Sequence, residues 1–296
     1  LPIDEITEGG VGAGELLARL LPHFQRFRSA VVRDVPFALH RGGADAPAWE
    51  RFAPHDLQAT QRMALRAEVR VPSLPARGEE AMDGVVIFGG ADVPDRGLVP
   101  LGTTAGADED GDGAADAAGA SLPLRFAPMH GGIEGSDYVV LALAADFSSL
   151  AGEDAACTAA DRRGCTALAG LLHRAEAFPW GATVDFGGAG FLAPAVDAAW
   201  FSGERRFTPG AVPAGADVLR LRLDAGGGRL WHVWMPAAAG DRFLPAPPGP
   251  EDRAAGAGAS VQALRLAATL DDLFAFGGAR AAGAGLAAFS SIDLPR

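Results

Sequence analysis

Asp108-Glu109-Asp110-Gly111-Asp112-Gly113-Ala114-Ala115-Asp116 packs five acidic side chains into nine residues. Counted from Asp108, carboxylates stand at positions 1, 3, 5 and 9, and Gly113 stands at position 6. Ca²⁺ is a hard cation that gathers about six to eight oxygen ligands. A tightly turning loop brings Asp108, Asp110, Asp112 and Asp116 to one point, and Ala114 adds its backbone carbonyl. Gly113 permits the turn, since a side chain there would resist positive φ. Without a cation the crowded carboxylates repel one another and hold the segment open. The competing reading is a solvated acidic loop.

These nine residues resemble the Asp-x-Asp-x-Asp-Gly-x-x-Asp calcium loops of integrin-type β-propeller blades and thrombospondin type 3 repeats. The resemblance implies that Asp108, Asp110, Asp112 and Asp116 are side-chain ligands of one Ca²⁺ ion. It covers the loop and not the chain: those families repeat the motif, whereas it occurs once in this sequence, and neither family's fold is implied. An EF-hand fits less well, because its twelfth position takes a bidentate acid and Gly119 occupies it.

Other residues that could do chemistry do not assemble into a motif. His23, His40, His55, His130, His173 and His232 include no His-x-x-x-His or His-Glu-x-x-His spacing, so a zinc hydrolase has no support. His55-Asp56 and Glu134 read as scattered surface residues. His130-Gly131-Gly132 lacks an accompanying Gly-x-Ser-x-Gly elbow, and Ser136-Asp137 reads as a turn entering a strand. Gly9 to Gly14 is glycine-rich, yet no strand precedes it and a nucleotide loop's glycine spacing is missing. His232, in Leu230-Trp231-His232-Val233-Trp234, reads as a structural histidine beside tryptophans. The only cysteines, Cys157 and Cys165, are too far apart for a zinc knuckle and read as a local disulfide closing a polar, Gly-containing loop.

Composition narrows the partners. All 25 basic residues are Arg, and Lys and Asn are absent, which a GC-rich coding sequence explains more simply than adaptation to salt. Schiff-base chemistry, a P-loop lysine and N-glycosylation are thereby excluded. A net charge of −12 opposes nucleic acid and anionic lipid, which both need a positive field. One tyrosine, Tyr138, is a poor aromatic supply for nucleic-acid or glycan stacking platforms. No apolar run reaches the roughly 18 residues of a membrane span. A chain that opens on Leu1 fits a processed, exported protein, an expectation shared by the cysteine pair and by a loop suited to external calcium.

The elements that must position these residues are mostly strands. Met63, Leu65, Ala67, Val69 and Val71 alternate with Arg66, Glu68 and Arg70, and Leu219, Leu221 and Leu223 alternate with Arg220 and Arg222. Further strands are expected at Gly84–Phe88, Leu122–Phe126, Tyr138–Ala145, Thr183–Phe186, Leu230–Met235 and Val261–Leu266, with a mixed pattern at Val31–Leu39. Helices are expected at Glu15–Arg28, interrupted by Pro22, at Leu168–Ala177, and from Thr269 to a stop at Gly277. Many strands with few intervening helices predict a mainly β fold of antiparallel, sandwich-like layers with a few peripheral helices; α+β is the alternative. The chain reads as one globular unit, 1–296, with linker-like stretches at Gly102–Ser121 and Pro245–Gly258, the first being the possible point of subdivision.

Two function classes follow. One is an exported, non-catalytic, calcium-stabilised protein that binds or assembles at a cell surface, with other surface proteins or further copies of itself as partners. The other is a secreted hydrolase whose catalytic residues are dispersed along the chain. The cysteine reading has a direct test: alkylation of the denatured, non-reduced protein should add no mass. Two adducts would show free thiols.

Overall fold

The computed structural model describes residues 65–77, 80–93, 97–107, 121–126, 129, 134–146, 166–176, 181–224, 230–245, 258–266 and 285–294. The helices expected at Glu15–Arg28 and from Thr269, the Val31–Leu39 segment and both cysteines lie outside them. Within them the chain is mainly β. In order the strands are β1 (Leu65–Arg70), β2 (Ala76–Arg77), β3 (Glu80–Ala81), β4 (Gly84–Val93), β5 (Gly97–Ala107), β6 (Ser121–Phe126), β7 (Asp137–Ala145) and β8 (Ala167–Ala175). They continue as β9 (Ala182–Val184), β10 (Ala199–Phe201), β11 (Arg206–Thr208), β12 (Val218–Asp224), β13 (Leu230–Pro236), β14 (Arg242–Phe243), β15 (Ala259–Leu266) and β16 (Leu286–Leu294).

Eight strands form one sheet in the order β13-β12-β15-β16-β8-β7-β4-β5, and every pairing in it is antiparallel. A three-stranded sheet, β6-β1-β9, supplies a second layer. In it β1 pairs antiparallel with β6 and parallel with β9. Because side chains alternate along a strand, each sheet has one face turned to the shared core. Ala67, Val69, Leu124 and Val184 of the small sheet join Val85, Ile87, Ala142, Leu171, Leu221 and Ile292 of the large one in a single buried cluster. A further three-stranded sheet, β10-β11-β14, contributes the fully buried Phe207 to it.

The large sheet's second face is apolar over much of its width. Pairing registers place Pro236, Val218, Leu264, Phe289, Gly170, Leu143, Val86 and Ala105 in one row across all eight strands. Val218 and Leu264 are buried there, as is Val86 against Phe88 and Ala105. This two-sided burial accounts for one reversal. Leu168–Ala177 was expected to be helical, and Ala167–Ala175 is instead a central strand. Ala167, Ala169 and Leu171 face the shared core, and Leu168, Gly170 and Leu172 face the other way, so both faces needed apolar residues and the period of two was erased. Likewise, residues 102–107 of the expected linker are the end of β5.

Two glycines have structural reasons. Gly135 ends the turn before β7 at φ +85°, a conformation costly for side chains. Gly170 lies opposite Phe289, whose ring occupies the space a Cβ would take. Gly170→Ala should therefore overpack this contact and cost about 1–3 kcal/mol in urea unfolding. Adding Phe289→Leu should recover part of the loss; an unchanged midpoint in Gly170→Ala would refute the packing account.

Candidate functional site

The expected calcium ligands Asp108, Asp110, Asp112, Ala114 and Asp116 lie outside the described residues, as do His23, His40, His55 and His130. Ala107 ends β5 and Ser121 begins β6, so the acidic segment joins two strands that lie against each other. Glu134 is exposed in the turn before β7. His173 sits opposite Val140 on the core-facing side of β8. Among the described residues no three His, Cys, Asp or Glu side chains converge as a metal site.

Histidine 232 is in a more informative place. It lies in β13, at the edge of the large sheet, and the β12–β13 register sets Arg222 opposite it and Arg220 opposite Trp234. Leu219, Leu221 and Leu223 hold β12 to the core, which sends both arginines to the second face. Arg220 donates from Nε and Nη2 to His232 Nδ1, at 3.0 and 2.8 Å. Its guanidinium carbon is 5.1 Å from the Trp234 ring centroid, within cation–π range. Continuing inward, Gln262 of β15 and Ser291 of β16 extend the Trp234–Arg220 row, while Ser260 and Asp293 extend the His232–Arg222 row. The patch is four strands wide, roughly 15 Å at normal strand spacing.

Arginines elsewhere in the fold are held in two ways. Carboxylates meet Arg174 (Asp92, 3.3 Å) and Arg206 (Glu204, 2.8 Å, and Asp241, 3.1 Å), the latter lying over Phe201, whereas backbone carbonyls accept from Arg242 and Arg265. Arg220 is held by a neutral imidazole and an indole. Burial and the adjacent Arg222 both lower its pKa, so the charge is retained at a cost. Burial, then Arg220 and Arg222, lowers His232 as well, which keeps Nδ1 free to accept. Asp293 moves the other way: desolvation raises its carboxyl, against opposing pulls from a Thr166 hydrogen bond and the Arg222 charge.

A separate concavity of about 590 Å³ lies between the segment that follows β1 and the stretch after β9. Arg70, Ser73 and Asp185 are its charged and hydroxyl side chains, set among Leu74, Phe191 and glycine backbone. Phe186, beside Asp185, adopts φ +53° with its ring buried, so the core fixes that wall in a left-handed conformation unfavourable for a bulky residue. The wall can hydrogen-bond an extended ligand; among the described residues no histidine lines it to activate Ser73.

From the sequence, Arg220 and Arg222 read only as the residues that alternate with the leucines of a strand, and His232 as a structural histidine. The Leu/Arg and Trp/His alternations were visible, but only strand register brings the four residues together. The histidine has a pH signature. With its folded pKa below the ordinary value of 6.5, the unfolded chain binds the proton more readily, so this contribution to stability falls as pH drops below about 6.5. In His232→Gln the amide oxygen can still accept from Arg220 without titrating. Its Tm should therefore fall less than wild type between neutral and mildly acidic pH. Parallel profiles would refute the assignment.

No protein family, curated protein or solved structure matches this chain.

Proposed function

We propose that this chain is an exported, non-catalytic protein, stabilised by calcium, whose role is binding at a cell surface. The observation that carries the binding role is Arg220, a cation fixed by His232 and Trp234 on the second face of the large sheet and met by no carboxylate among the described residues. Such a group is ordered before any ligand arrives, which lowers the entropic cost of association. It holds no nucleophile and suits recognition better than bond-making. Calcium is supported by the spacing of Asp108, Asp110, Asp112 and Asp116 with the carbonyl of Ala114, and export by the same loop together with the Cys157–Cys165 pair.

An ion that binds the folded state alone stabilises it by about 2.7 kcal/mol when free calcium is a hundredfold above Kd. Saturating calcium should then raise Tm by about 5 °C over a chelated sample. Asp110→Ala should abolish most of that rise. Equal Tm values with and without calcium in the wild type would remove calcium from the proposal.

A further inference from the structure

We propose that the Arg220–Arg222 patch binds an acidic carbohydrate, the two guanidiniums taking uronate carboxylates and the neighbouring amide and hydroxyl side chains taking sugar hydroxyls. This rests on the binding role above and names its ligand class.

Three features of the patch support that class. First, its two guanidiniums outnumber the one carboxylate of the patch, Asp293, and are partly preorganised. Two N–H groups of Arg220 are spent on His232, and its remaining N–H groups meet no acceptor among the described residues. Arg222 is exposed two residues along the same face, and the carboxylate its charge acts on, Asp293, lies two strands away. The two cations are separated along the strand by about 7 Å. A carboxylate accepts two parallel N–H bonds from a guanidinium, geometry that an ammonium could not offer.

Second, the cations are bordered by neutral hydrogen-bonding groups. Gln262 lies directly opposite Arg220, Ser260 opposite Arg222, and Ser291 opposite Gln262. An acidic peptide would use the arginines and have little need of these three, whereas a sugar ring presents hydroxyls that both donate and accept. Asp293, opposite Ser260, sets the far limit: it repels a further carboxylate but can accept from a hydroxyl.

Third, the surrounding charge disfavours dense polyanions. The whole chain carries −12, so a nucleic acid or anionic membrane would be repelled beyond this patch, while a short saccharide with spaced carboxylates need touch only the patch itself. A single indole, Trp234, is no stacking platform; here charge supplies the affinity and the ring borders the site.

The test is titration calorimetry at fixed calcium with three probes: trigalacturonate, its methyl ester and triglutamate. Trigalacturonate should bind the wild type, and the other two should bind at least about tenfold more weakly. Arg222→Gln, on an exposed side chain, should weaken trigalacturonate about tenfold. Arg242→Gln, on β14, should leave it unchanged. Equal binding of triglutamate would overturn the carbohydrate assignment in favour of a charge-only surface for acidic peptides. No binding of trigalacturonate, or binding indifferent to Arg222→Gln, would overturn the site. Calcium-dependent Tm measured on the same samples separates the two failures: a preserved calcium shift without saccharide binding defeats this inference and leaves calcium stabilisation standing.

Discussion

Strand register is the constraint on which everything else in this molecule depends. Backbone N–H and C=O groups buried between layers must pair, and in the large sheet they do so through seven successive antiparallel ladders. Each ladder fixes which residues stand opposite one another, and a slip of one residue would send every side chain of that strand to the other face. Leu219, Leu221 and Leu223 leave β12 no such freedom: the core would lose three leucines and receive two arginines. The cost of burying those charges outweighs any local preference. The polar patch is therefore a by-product of core packing, in that the same alternation that buries the leucines presents Arg220 and Arg222 together.

Within the patch, neutral partners do what a carboxylate does elsewhere in the fold. Arg206 illustrates the ordinary solution, bridged by Glu204 and Asp241 and closed over Phe201, a clasp that ties β11 to the chain around it. The bond from Arg220 to His232 supplies the same orientation without cancelling charge.

Much of the architecture was legible in the sequence. Ala67 and Val69 lie buried between exposed Arg66, Glu68 and Arg70, as their alternation implies, and β12 spans the expected Val218–Asp224. β8 was illegible because apolar residues on both of its faces erase the period of two. Ala-Leu-Ala-Gly-Leu-Leu has the composition of a helix, yet it is a strand between β7 and β16, with Ala169 and Leu171 buried on one face and Gly170 on the other. β16, Leu-Ala-Ala-Phe-Ser-Ser-Ile-Asp-Leu, escaped notice because its buried face includes a serine, Ser290, which donates to the Ala193 carbonyl among apolar neighbours. The patch was half legible. Arg220, Arg222 and His232 each stood out locally, but their meeting depends on a pairing that no spacing rule contains.

The position of β16 has a consequence for how the molecule is made. It lies between β15 and β8, joining β13-β12-β15 to β8-β7-β4-β5. β15 is near β16 in the chain, but β8 ends more than 100 residues before β16 begins, and its edge toward β16 stays unpaired until that distant segment arrives. Contacts so distant along the chain close slowly, and open edges are templates for wrong partners. The eight-stranded sheet is therefore whole only once β16 has paired on both of its edges.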